Sequence, residues 1–108
     1  MAAAAELITT PVTFPGERAT LAAFLSRQAD REPKPTVIII HEWWGLNDHI
    51  KDIAQRFARE NFVALAVDLY SRLGNTITKD PNEAAKLMER LKSQQALKDL
   101  NATVRYLK

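Results

Sequence analysis

Two short stretches place chemically capable side chains where a sheet would present them. His41-Glu42-Trp43-Trp44-Gly45 follows the apolar run TVIII (36–40), and Asp68-Leu69-Tyr70 follows FVALAV (62–67). A carboxylate at the end of a buried strand is expected to be half-buried, where loss of water disfavours its charged form unless a cation or hydrogen-bond donors compensate. Glu42 is therefore a candidate for acid–base or charge-controlling work, set against a solvated glutamate or one paired with an arginine. His41 reads either as an acid–base group or as a structural hydrogen-bonder. Trp43 and Trp44 read as walls of an apolar pocket or as core, with core expected for at least one of them. Gly45 permits a tight turn and a close backbone approach. Asp68 could be catalytic, although capping a loop by accepting backbone N–H groups is the commoner use of such a residue.

The elements that must position these residues are legible from periodicity. ELITTPVTF and ATLAAFLS flank PGER, where Pro15-Gly16 signals a turn, and read as a β-hairpin within residues 1–26. TVIII, bounded by prolines, reads as a strand buried on both faces. Ile50, Ile53, Ala54, Phe57 and Ala58 recur at helical spacing. Asn47 or Asp48 can cap the start of that helix, and Asn61 can take the left-handed position at its end. FVALAVDLY is a second buried strand, SRLGNTITKDP a loop, and NEAAKLMERL a short helix with Pro81 just before it. QQALKDLNATVRYLK is a helix with Leu97, Leu100, Val104 and Leu107 on one face, and the charges of both late helices are expected on solvent faces. Strand, helix and strand over 36–70 form a parallel βαβ core. Ligands bind such sheets at the carboxyl ends of the strands, so both polar clusters fall on one rim.

The bulk composition narrows the function classes. At 108 residues the chain is one small domain, with 46% hydrophobic and 26% charged residues, an ordinary globular balance. It contains no cysteine, so disulfides, thiolate metal sites and a thiol nucleophile within these residues are excluded. No cofactor and no metal site is expected. Fifteen basic residues are interspersed with thirteen acidic ones for a net charge of +2, without the basic stripe of a nucleic-acid partner. MAAAAELITT has no positive n-region and no long apolar core, so it does not read as a signal peptide. With no apolar run of membrane-spanning length, a cytoplasmic location and no membrane partner are expected.

Taken together, VIIIHEWWGLNDHIKDIAQRFARENFVALAVDLYSRLG resembles the dienelactone hydrolase family, a branch of the α/β-hydrolases. The matching elements are the strand, His41-Glu42-x-x-Gly45-Leu46-Asn47, the helix from Ile50 to Phe57, and the strand ending Asp68-Leu69-Tyr70. ALKDLNATVRYLK resembles the helix that precedes the family's nucleophile strand. The resemblance implies an α/β fold comprising the N-terminal part of an α/β-hydrolase sheet: β-hairpin, parallel βαβ unit, then two helices, one partial domain over 1–108. It implies that Glu42 lies near the nucleophile and helps control its ionisation, and that the backbone N–H of Trp43 belongs to the oxyanion hole. His41, Trp44, Tyr70 and Arg72 are the candidate substrate contacts, Arg72 standing with Arg90 as a candidate for holding a substrate carboxylate. The implied substrate is a small ester or lactone.

Within these residues the catalytic triad is incomplete. Ser26, Ser71 and Ser93 lie outside any G-x-S-x-G elbow, and His41 and His49 precede the place of a nucleophile rather than following it. The expected state is thus the N-terminal half of a hydrolase, inactive alone, with the C-terminal half of the same fold as a possible partner. The alternative is a non-catalytic half-domain serving as an oligomerising or small-molecule-binding module. The resemblance places TVIII beside an absent nucleophile strand, so homodimerisation through the Thr36–Ile40 edge is expected, with a change at Ile39 weakening it.

Overall fold

The computed structural model describes residues 6–108. The run of alanines on which the signal-peptide reading partly rests, and the first residues of the 1–26 hairpin, lie outside the described residues. The element order is β1 (Leu7–Gly16), β2 (Ala19–Gln28), β3 (Thr36–Ile40), α1 (Asp48–Arg59), β4 (Val63–Val67), a short 3₁₀ turn (Ser71–Leu73), α2 (Pro81–Arg90) and α3 (Ser93–Leu107).

The four strands form one sheet in the order β1-β2-β4-β3. β1 and β2 pair antiparallel from Leu7↔Gln28 to Gly16↔Ala19, and β2 pairs antiparallel with β4 from Ser26↔Ala64 to Ala23↔Val67. β3 runs parallel to β4, Thr36↔Val63 to Ile40↔Val67, across the α1 crossover. The hairpin turn is Glu17-Arg18, with Arg18 in the left-handed region at φ 56°. Pro15 and Gly16 belong to β1, where they pair with Thr20 and Ala19. The turn thus falls two residues after the Pro-Gly signal, because the pairing of Phe14 with Leu21 keeps both in the core.

β4 is the centre of the fold and sorts its side chains by size. Ala64 and Ala66 face α1, where Ala54 meets them, all fully buried. Small residues on both sides let the helix lie close on the sheet. Leu65 and Val67 face the opposite layer with Phe14, Leu21, Ala23, Leu69 and Ala102 of α3. Alternation along a strand makes this division automatic. Asn47 caps α1 by accepting the Ile50 N–H at 3.2 Å, and Asn61 takes the left-handed position at φ 72°. Asp80 caps α2 through the Asn82 N–H at 3.0 Å, with Pro81 in the first turn, where a missing N–H costs nothing.

Two expectations about burial are corrected. β3 is not buried on both faces. It lies at the end of the sheet, and Ile40 is 55% exposed. Only β4 has neighbours on both sides of the βαβ pair. In α3 the face carrying Leu97 and Val104 is exposed, and Asp99, Ala102 and Thr103 turn inward. Leu100 and Leu107 of the same expected face do pack against the core beside Ala102. Phe57, grouped by spacing with the α1 core, is 38% exposed and packs edge-on against Phe62.

The alanine contact between α1 and β4 generates the first prediction. Ala66→Leu forces side-chain volume into a close-packed seam and is expected to cost about 1–3 kcal/mol. Ile40→Thr, on the exposed strand end, is expected to stay within about 0.5 kcal/mol. Urea unfolding of the two variants beside the parent chain reads both values.

Candidate active-site rim

The strand ends bring the two polar clusters together as the βαβ topology requires. His41 follows β3 and is buried, 8% exposed. Its Nε2 accepts the Leu69 N–H at 3.0 Å, and its Nδ1 lies 2.7 Å from the Glu42 carbonyl oxygen. A carbonyl only accepts, so Nδ1 carries the proton and Nε2 does not. The 3.7 Å approach of Nε2 to Asp68 Oδ1 is then a polar contact and not an ion pair. Both ring nitrogens are engaged with backbone, which is the structural use of this histidine.

Asp68 takes the capping role. Its Oδ1 accepts the Tyr70 N–H at 2.9 Å, and its own N–H donates to the Ala22 carbonyl at 2.8 Å. Burial pushes its carboxyl above the ordinary range, against the opposing effects of the Tyr70 N–H and the Lys51 charge. Tyr70 is fully buried, and its hydroxyl donates to the Trp43 carbonyl at 2.9 Å. Burial, and then the charge of Asp68, push the Tyr70 phenol up, which keeps that donor protonated.

The loop between β3 and α1 turns sharply at Gly45. Its φ of +94° and the Thr76 carbonyl oxygen 2.3 Å from where a Cβ would sit leave room for no side chain. The Gly45 N–H donates to the Glu42 carbonyl at 3.1 Å, and Thr78 N–H donates to the Trp44 carbonyl at 3.0 Å. The two indoles meet edge-on, with ring centres 5.2 Å apart. Neither is core: Trp43 is 38% exposed and Trp44 half-buried. The larger correction concerns Glu42. It is exposed rather than half-buried, and its carboxylate has no hydrogen-bond or ion-pair partner among the described residues. The edge position of β3 explains this, since nothing covers that end of the strand.

Arg72 is brought elsewhere. Its Nε and Nη2 bind Asp99 of α3 at 3.2 and 3.0 Å, and Gln95 adds a third donor at 3.2 Å. Asp99 is 1% exposed, which overturns the expectation that the charges of α3 lie on a solvent face. Spacing gives no signal for this pair, because the partners are 27 residues apart and on different elements. Arg90, in the last turn of α2, is exposed. Clefts of about 200 and 350 Å³ lie on the α1 side, lined among others by Phe24, Lys51 and Asp68, and by Asn47, His49 and Lys79. Glu42 and Trp43 line neither. They stand on an open rim beside the free edge of β3. Among the described residues no cluster of three or more histidine and acidic side chains could hold a metal, and no helix is long and apolar enough to cross a membrane.

Comparison with known proteins gives this geometry a context. Residues 21–108 match the model of the dienelactone hydrolase family. A protein of Methylorubrum extorquens, provisionally named a carboxymethylenebutenolidase, is 31% identical over 104 residues. One of Synechocystis bearing the same provisional name is 35% identical over 106 residues. Each alignment covers 94% of this chain, but only 36% and 43% of the respective relative. A solved structure described provisionally as a dienelactone hydrolase of Klebsiella pneumoniae superposes with a TM-score of 0.84 at 27% identity, over 94% of this chain and 43% of that one. The chain thus spans less than half the length of these relatives, and its fold corresponds to their N-terminal part.

Asp68 generates the second prediction. Its folded-state value lies above the unfolded one, so the folded chain holds the proton more tightly. That contribution is fully present below about pH 3.9 and is lost as pH rises through the raised folded-state value. Asp68→Asn keeps an oxygen for the Tyr70 N–H and removes the titration. The melting temperature of the variant is expected to gain on that of the parent as pH rises from about 3 to about 7. A gap that is constant or shrinks over that range contradicts the assignment.

Proposed function

The chain belongs to the dienelactone hydrolase family, and we propose that it supplies the glutamate and one oxyanion donor of a site that hydrolyses small esters or lactones. The nucleophile, acid and histidine of the triad come from chain that pairs along the free edge of β3. The observation that carries this reading is the placement of Glu42 and the Trp43 N–H. Both follow the edge strand, on the rim where such sheets bind ligands, and Trp43 N–H has no acceptor among the described residues.

In the proposed reaction the nucleophile adds to the substrate carbonyl, and negative charge collects on the carbonyl oxygen. A fixed N–H aimed at that oxygen stabilises the transition state more than the ground state, and one such donor is worth roughly 2.7–4 kcal/mol. Glu42, exposed beside the free edge, bears on the ionisation of the incoming nucleophile. Trp43 and Trp44 give an apolar flank to the acyl part of the substrate. His41 and Tyr70 contribute through the backbone they hold. Arg72 reaches a substrate carboxylate only by giving up Asp99. Alone, the chain is inactive, because no side chain on this rim is an activated nucleophile.

The unpaired edge favours a second reading, a non-catalytic module that self-associates. Among the described residues no strand pairs with the outer side of β3. Open N–H and C=O groups recruit other strands, and two copies could pair antiparallel about a two-fold axis. Ile39, chosen from the sequence as the blocking position, packs against α1 and is unsuitable. Ile40→Lys charges the exposed end instead. Weaker association of that variant by sedimentation supports the second reading, and a monomeric parent chain at high concentration removes it.

The first reading is tested by Glu42→Gln in a protein carrying this chain and a nucleophile-bearing half. kcat/KM on an ester is expected to fall on the order of tenfold or more. Stability should move by less than about 0.5 kcal/mol, since the side chain is exposed. Unchanged turnover, or a loss explained by unfolding, takes Glu42 out of the reaction.

A further inference from the structure

We propose that His41 is a positioning residue that aims the Trp43 N–H, an inference that rests on the oxyanion-donor reading above. The Glu42–Trp43 peptide is trans, as are all peptides among the described residues, so its C=O and N–H point in opposite directions. The Glu42 carbonyl oxygen receives two donors, His41 Nδ1 at 2.7 Å and Gly45 N at 3.1 Å. A carbonyl oxygen has two lone pairs, and both are taken. The N–H on the other end of the plane is thereby fixed facing away from the loop interior.

The imidazole is itself held. Its Nε2 accepts the Leu69 N–H at 3.0 Å, and the ring is buried, 4.8 Å centre to centre from the Tyr70 ring. Only the Nδ1–H tautomer satisfies both ring contacts, so the donor facing Glu42 is constant. The next peptide plane is pinned independently by the Tyr70 hydroxyl on the Trp43 carbonyl, 2.9 Å away. Both planes flanking Trp43 therefore have fixed orientations, and its N–H remains without an acceptor among the described residues. Flipping the Glu42–Trp43 peptide would break two hydrogen bonds and turn a carbonyl oxygen toward the place of the developing oxyanion.

Two substitutions separate the two ends of the ring. His41→Gln can still reach Leu69 N–H as an acceptor but loses the donor to Glu42. His41→Asn keeps a donor near the Nδ1 position and loses the acceptor for Leu69. In the 15N-labelled chain, the Trp43 amide is expected to become more mobile in the Gln variant and to stay ordered in the Asn variant. Joined to a nucleophile-bearing half, the Gln variant is expected to lose roughly tenfold in kcat per folded molecule, with KM within about twofold. The Asn variant is expected to keep kcat within about threefold while melting lower. Equal order at Trp43 in both variants, or activity that follows only the folded fraction, overturns the inference. Loosening of Trp43 in the Gln variant with unchanged kcat supports the positioning role and overturns the oxyanion reading.

Discussion

The hydrogen bond from Leu69 N–H to His41 Nε2 ties the end of β3 to the end of β4, and the geometry of the rim depends on it. β4 is enclosed, with both of its faces and both of its edges occupied. β3 is an edge strand and has no such support on its outer side. A buried ring bridging the two strand ends passes the order of the centre to the loop Glu42–Gly45. Tyr70 makes a second bridge two residues after Asp68, from its hydroxyl to the Trp43 carbonyl. Asp68 makes both possible by capping the turn, accepting the Tyr70 N–H and so setting where Leu69 and Tyr70 present their groups.

This arrangement separates holding from exposure. The residues that hold, His41, Asp68 and Tyr70, are buried, and each hydrogen bond their side chains make ends on backbone. The groups proposed to meet a substrate, the Glu42 carboxylate and the Trp43 N–H, belong to exposed residues and have no hydrogen-bond partner among the described residues. Gly45 is the hinge of that division, since its positive φ turns the chain back so that its N–H reaches the Glu42 carbonyl. Low side-chain mobility in the holding set is what preorganisation requires, because a donor already in place needs no reorganisation during the reaction.

Much of this was legible in the sequence, and the remainder was hidden for physical reasons. The uninterrupted apolar runs located β3 and β4, and helical spacing with Asn47 and Asn61 at the ends located α1. The topology then required both polar clusters to share a rim. Burial was harder to read. TVIII looks buried on both faces because its composition suits an interior strand, yet burial depends on neighbours that composition does not specify. In α3 the apolar stripe was half right: Leu100 and Leu107 pack on the core, while Leu97 and Val104 are exposed because Asp99, Ala102 and Thr103 turn inward. Long-range polar pairs leave no periodic trace. The division of labour at the site was likewise invisible: nothing in the order His41-Glu42 says which side chain turns inward.

The proposed site is preorganised but incomplete, with its nucleophile supplied by other chain. Its most direct test is complementation. The chain and a separately produced C-terminal half bearing a nucleophile elbow are assayed on an activated ester, apart and mixed. Turnover is expected only in the mixture, saturating at one copy of each half. Hydrolysis by the pure chain alone at a comparable rate, blocked by a serine-directed inhibitor, would contradict it.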